Sequence, residues 1–248
     1  MVPTRARDGD SVAHMTPRGG LAVAVTVLLG AALIPASAGA RWYGSTMAAP
    51  VNTTYGCESA LIMGPIGGVQ LAPSNQTSCT YKHGGYMGSN RLGSVVPGNG
   101  RITRIRVKSG PNPAPLRLTI LTGSARIDTT TGAVIPQTYT CCTARYLGPV
   151  LRPRPNAITV QRVNVRVFDT RETRLDNRTH ATDQVAISAV GPGTLPLAVR
   201  NDVGSPVQGT PIAIGFWPAT AIGEPRVDGY TMTGIDVLLG WDFQPARR

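Results

Sequence analysis

The chain has 248 residues and a formal net charge of +11, although only 15% of its residues are charged. A chain this long can bury roughly 70% of its unfolded surface, so a true core is available. With 29 Gly, 21 Pro, many Val, Ile and Thr and almost no Lys or Glu, the composition excludes a helical architecture and points to strands and turns.

The first element is the apolar run 21–34, preceded by Arg18 and followed by Pro35-Ala36-Ser37-Ala38. A basic start, a short hydrophobic core and small residues at a cleavage site make a secretory signal. The run is shorter than the roughly 20 residues of a membrane span. Residues 1–38 are therefore expected to be a signal helix, with cleavage at Ala38 (or Ala40). Met15 is the expected start, since Asp8 and Asp10 do not belong in a basic leader. No cysteine lies near the site to take a lipid, and no Arg-Arg pair precedes the core. The expected location is secreted and extracellular; the rival is a chain anchored in the membrane by residues 21–40.

Export changes how the charge is read. Nucleic acid is the reflex partner of a basic chain, but an exported protein does not meet it, and no nucleic-acid partner is expected. An anionic cell-wall polymer or glycan suits an extracellular cation better; a solvated surface that keeps the protein soluble is the plainer alternative. The membrane enters only through an uncleaved signal.

Residues 39–56 read as a flexible linker or a first edge strand, and 57–248 as a single β-sandwich domain. Four cysteines follow: Cys57, Cys79, Cys141 and Cys142. In an oxidising compartment they suggest two bridges, with three pairings. Cys57–Cys79 plus a vicinal Cys141–Cys142 bridge is favoured narrowly, because adjacent Cα atoms, about 3.8 Å apart, lie closer than a disulfide normally spans. The alternative links 57 and 79 separately to 141 and 142. The cysteine spacings match no zinc pattern, and no metal or cofactor is expected.

The clearest strand is Ile102-Thr103-Arg104-Ile105-Arg106-Val107-Lys108. Thr103, Ile105 and Val107 share one face; Arg104, Arg106 and Lys108 share the other and form the candidate basic binding face. Leu116 to Leu121 alternates next, and the loop between has hairpin length, so the two runs are expected to pair. In 158–167 the apolar phase slips between Val160 and Val163, which a β-bulge near Gln161-Arg162 would explain. Val185, Ile187 and Ala189 form another inward face. The runs 211–217 and 235–243 close the chain, with weaker strands at 67–71, 133–139 and 196–200. Eight to ten short strands between Gly/Pro turns make an all-β chain, an antiparallel β-sandwich of jelly-roll-like type.

Catalytic signals are sparse. His83 and His180 read as exposed loop histidines; Ser89 is a nucleophile by residue type only, and no Gly-x-Ser-x-Gly elbow is present. Asp169, Glu172, Asp176 and Asp183 could bind calcium or serve a glycosidase, but the interleaved arginines point to ion pairs in a hydrophilic loop. Asp236 and Asp242 read as surface carboxylates, Trp217 and Trp241 as core, and Tyr81 with Tyr86 as the one aromatic platform.

The wording of 102–121 with Gly110-Pro111-Asn112-Pro113, then Cys141-Cys142-Thr143, then 156–165, then Asp183-Gln184-Val185-Ala186-Ile187-Ser188, resembles a set of secreted β-sandwich proteins of GC-rich actinobacteria. The resemblance covers about residues 95–243. It implies the fold and export and brings no activity. The expectation is a secreted, non-catalytic binding module for an extracellular or cell-envelope glycan. The alternatives are a secreted hydrolase of envelope polymers and a structural envelope protein without a small ligand.

Overall fold

The structure, a computed structural model, describes residues 41–63, 69–86, 93–125, 140–169, 180–200, 210–226 and 229–246. The signal segment with Ala38 and Met15, together with Ser89, Glu172, Asp176 and the strand expected at 133–139, lies outside them.

The described residues form fourteen strands and no helix. In chain order they are β1 (Arg41–Gly44), β2 (Ser59–Met63), β3 (Val69–Pro73), β4 (Cys79–Tyr86), β5 (Gly100–Lys108), β6 (Leu116–Ala125), β7 (Thr140–Leu151), β8 (Ile158–Val167), β9 (His180–Ala189), β10 (Leu197–Val199), β11 (Pro211–Phe216), β12 (Tyr230–Thr233), β13 (Ile235–Val237) and β14 (Leu239–Pro245). One sheet orders them β1-β14-β5-β8 and the other β12-β11-β4-β9-β6-β7, with every neighbouring pair antiparallel. The β2–β3 hairpin and the β10–β13 pair stand outside these sheets. The remaining strands wind as 1-14-5-8 against 4-9-6-7, which is a jelly-roll path between two layers. Strand β11, with β12, widens the second sheet beyond β4.

The core follows from the two-residue period. Ile102, Ile105 and Val107 of β5, Val165 and Val167 of β8, and Leu239 and Trp241 of β14 are buried from one side. Tyr81 of β4, Leu116, Leu118 and Ile120 of β6, and Val185, Ile187 and Ala189 of β9 are buried from the other, and all join one cluster. Two inward faces closing on each other remove far more apolar surface from water than either could alone.

Several local expectations change at this level. β5 and β6 do not pair as a hairpin; they belong to opposite sheets. The connection between them contains Pro111, Pro113 and Pro115, which have no N–H for a ladder. It is long enough to cross the roughly 10 Å between sheets. Thr103 is not inward. It is an extra residue of β5 opposite the Asp242/Phe243 step of β14, and Ile102 takes the inward place. The register irregularity of β8 lies between Arg162 and Val165, two residues beyond its expected position. Alternation carries on through it, which leaves Ile158 and Val160 about half exposed on the outer face.

The run 235–243 divides into β13 and β14. Residues 41–56 are no flexible linker: β1 is an edge strand paired to β14, Met47 is buried, and Thr53 donates through Oγ1 to the Leu195 carbonyl. Cys57 and Cys79 form a disulfide with Cα atoms 5.4 Å apart, tying that N-terminal segment to the start of β4. Cys142 is also disulfide-bonded; the one cysteine left over, Cys141, has its side chain outside the described residues.

Part of the outer face of the six-stranded sheet is buried as well. Residues 217–226 leave β11, touch β4 where the Thr220 and Thr80 hydroxyls lie 3.2 Å apart, and reach β7, where Gly223 N and Arg226 N donate to the carbonyls of Ala144 and Cys142. Leu121, Cys142, Ala144, Ala186 and Phe216 form a second apolar cluster. The hydroxyls of Thr80, Ser188 and Thr119 form a row at 2.6 and 2.7 Å across β4, β9 and β6. Each hydroxyl thereby satisfies its neighbour without water.

Candidate functional site

Among the described residues, the outer face of the β1-β14-β5-β8 sheet is the more strongly charged of the two main sheets' surfaces. It presents Arg101, Arg104, Arg106, Lys108, Arg162 and Arg166 against one carboxylate, Asp242: six cations less one anion, +5; Arg41 of β1 pairs with the inward Phe243 and lies beside Tyr43 on the other side. The larger sheet has only Lys82, Arg117 and Arg145 against Asp183, +2. Alternation explains the segregation. Every second residue of β5 and β8 must face the core, and the residues between them include Arg101, Arg104, Arg106, Arg162 and Arg166.

Strand register lays the face out in rows. Trp42, Asp242, Arg104 and Arg162 form one row across β1, β14, β5 and β8; Gly44, Gly240, Arg106 and Val160 form the next; Lys108 stands opposite Ile158. Arg104, Arg106 and Lys108 share this face, and each has an intramolecular task. The Arg104 guanidinium grips Asp242 through Nε at 2.8 Å and Nη2 at 2.7 Å. Asp242 is almost fully buried, while Arg104 remains 41% exposed. Arg106 lies across β14 where Gly240 has no side chain: a Cβ there would stand 2.7 Å from Arg106 Nε. From that position Nη2 donates to the Ser45 carbonyl at 3.1 Å, and partial burial lowers the Arg106 pKa. Lys108 Nζ donates to the carbonyls of Met47 and Ala49. Trp42 lies beside both guanidiniums, with Arg104 and Arg106 carbons 5.2 and 4.6 Å from its ring centre, within cation–π range.

Sequence reasoning chose one strand of this face and missed the other. Arg162 and Arg166 of β8 are exposed, and Arg101 of β5 is paired in register with Arg166. The signal was present in Arg162-Val163-Asn164-Val165-Arg166, an alternation whose polar members face outward. Trp42 is the aromatic residue of the face. Tyr81, expected as a platform, is buried in the core, where burial together with the nearby Tyr55 raises its pKa. The side chain of Tyr86 lies outside the described residues.

The other candidate residues are structural in their settings. His83 is not a loop histidine. It sits in β4, 1% exposed, with Nε2 3.2 Å from Asp236 Oδ1, and Ser45 Oγ donates to Asp236 Oδ2 at 2.9 Å. The carboxylate occupies the middle of this chain. A hydrolytic triad needs the imidazole there, between hydroxyl and carboxylate. Asp236 and Asp242, expected at the surface, are both buried and both bonded.

Asp183 is a buried hub of β9. It accepts from Thr122 Oγ1 at 2.8 Å, from the Phe168 amide at 2.8 Å, and from Nε and Nη2 of Arg145. Ion pairing is its role, in the interior and not in a surface loop. Asp169 is buried and accepts from Thr182 Oγ1. Among the described residues no three His, Cys, Asp or Glu side chains converge as a metal site would require. The side chain of His180, the first residue of β9, is not among those described.

Lys82 is a buried amine on the outer face of the six-stranded sheet. It donates to Gln184 Oε1, and desolvation lowers its pKa to about 8. Trp241 is fully buried, whereas Trp217 is half-buried at the core margin, its Nε1 donating to the Cys57 carbonyl at 3.2 Å. Asn52, the first residue of a sequon, uses both ends of its amide on Val199.

Fold and face together define an antiparallel jelly-roll sandwich with one strongly basic sheet surface. The chain matches no protein-family model, no curated protein and no solved structure.

Proposed function

We propose that this is an exported, non-catalytic binding protein whose arginine face engages an anionic extracellular or cell-envelope glycan. The observation that carries the reading is the segregation of charge, +5 on the outer face of one sheet with Asp242 as its one acid. The fixed spacing of strands, about 4.8 Å apart, turns the arginines into a regular two-dimensional array. A polyanion can meet several of them at once, so weak individual contacts add. Export is supported by the signal-like run 21–34 and by the Cys57–Cys79 disulfide, a bond that persists in oxidising compartments. The resemblance to secreted actinobacterial sandwich proteins points the same way.

The test is retention of the purified protein on immobilised polygalacturonate, dextran sulfate and neutral dextran during a salt titration. Retention on both acidic polymers at 20 mM salt and release by about 0.5 M are expected, because screening shortens the reach of surface charges from tens of ångströms to a few. Arg162→Glu should move release to clearly lower salt. Failure to bind at low salt, or equal retention on neutral dextran, ends the reading.

A further inference from the structure

At one end of the basic sheet, β5 begins where β8 and β14 finish. The three strand ends enclose a cleft of about 460 Å³, within the roughly 300–1,000 Å³ usual for ligand sites. Its polar lining is Arg101, Arg166, Asn99 and Gln244, and Phe168 and Pro245 are among its apolar lining. The chain after β14 closes one side, where the Ala246 amide donates to the Asn99 carbonyl at 2.9 Å.

Three observations suit it to an anion. The first is that its charged lining residues are both cations: Arg101 and Arg166 stand opposite each other in the β5–β8 register. The second is that the neighbouring carboxylates are buried and occupied. Asp183 is held by Arg145, Thr122 and the Phe168 amide, and Asp169 accepts from Thr182. The third is that donors remain. Arg101 uses Nη1 on Asn164 Oδ1, whereas the side chains of Arg166 and Gln244 and the Asn99 amide nitrogen make no hydrogen bond among the described residues. Phe168 is 41% exposed and is backed by Arg145, whose guanidinium carbon lies 5.2 Å from the ring centre. An aromatic wall beside paired guanidiniums offers stacking for a sugar face and a fork for its oxyanion.

We propose that this cleft is a subsite for one acidic sugar residue, holding its carboxylate or sulfate between Arg101 and Arg166 with the sugar ring against Phe168. The proposal deepens the glycan-binding reading and rests on it for the sugar. The array of the sheet face gives avidity for a polymer, and the cleft gives recognition of a single unit.

The test uses probes too short to span the array: trigalacturonate, sulfated maltotriose and neutral maltotriose, titrated calorimetrically at low salt. At least one acidic trisaccharide is expected to bind, and which one identifies the oxyanion. Arg101→Gln/Arg166→Gln should weaken it at least tenfold. Arg166→Gln alone, at a side chain that bonds nothing among the described residues and so leaves folding intact, should weaken it severalfold. Arg152→Gln, exposed beyond β7 and outside both the cleft and the basic face, should stay within twofold. A double variant within twofold of the parent, an Arg152→Gln loss as large as that of the double variant, or equal binding of neutral maltotriose overturns the proposal. Retention on polymer without any trisaccharide binding overturns the cleft and leaves the face standing. Trisaccharide binding that needs Arg101 and Arg166, without polymer retention, does the reverse.

Discussion

Lys82 shows how a single residue can hide its role in sequence. It lies two residues from Thr80 on the outer face of β4, a position that looks solvent-facing until residues 217–226 are laid over part of that face. Burial lowers its pKa from 10.5 to about 8, so between those values the unfolded chain holds more protons than the folded one. Stability must then rise with pH from about 8 upward. Tyr55, raised to about 12, and Tyr81, also raised, act in the opposite sense above pH 10, because there the folded state keeps protons that the unfolded chain has lost. Urea unfolding should therefore show stability climbing between pH 8 and 10, by an amount on the order of 1–3 kcal/mol, and falling at higher pH. Lys82→Met should flatten the climb; an unchanged slope in that variant contradicts the assignment. The buried carboxylates Asp183, Asp236 and Asp242 follow the same rule of context. Asp183 has polar neighbours in the chain and Asp236 and Asp242 apolar ones, yet each is interior because a partner from a distant strand or loop meets it.

At the scale of elements, alternation was readable and partnership was not. The inward sets of 185–189 and 116–120 follow from a period of two, and the structure keeps them. The pairing of β5 with β6 follows from loop length alone, and the structure refuses it, since each strand gains more by covering the core from its own sheet. β8 shows a subtler failure: Ile158 and Val160 are apolar yet outward, so hydrophobicity misplaces the phase. The Cys57–Cys79 bridge closes a separation of 22 residues between the segment after β1 and the start of β4. Cys57→Ser/Cys79→Ser should cost about 3 kcal/mol by loop entropy, read as a lower denaturation midpoint. A loss under about 0.5 kcal/mol would mean that the segment is held by its other contacts, such as the Thr53 and Asn52 hydrogen bonds.

Across the whole molecule, the jelly-roll winding joins residues far apart in the chain. Arg41 pairs with Phe243, Cys79 with Ala189, and Leu116 with Ala189. Such non-local pairing must meet its loop-closure entropy before contacts repay it, which makes folding slow. Stopped-flow refolding followed by the emission of buried Trp241 should give a main phase in the range of milliseconds to seconds. A microsecond phase carrying the full amplitude would be incompatible with this topology. The winding also builds the proposed binding face, because it assembles β5 and β8 beside each other and turns two separate arginine alternations into one surface with a cleft at its end.

The sequence by itself determined the all-β class, the alternating faces of the strong strands and the arginine side of β5, because each is carried by composition or by neighbours two residues apart. Tertiary structure alone decided which sheet each strand joins, which acids and amines are buried, and that Arg101, Arg162, Arg166 and Trp42 share the face of Arg104. Those outcomes depend on surface removed from water by partners as much as two hundred residues away, and no local pattern records them.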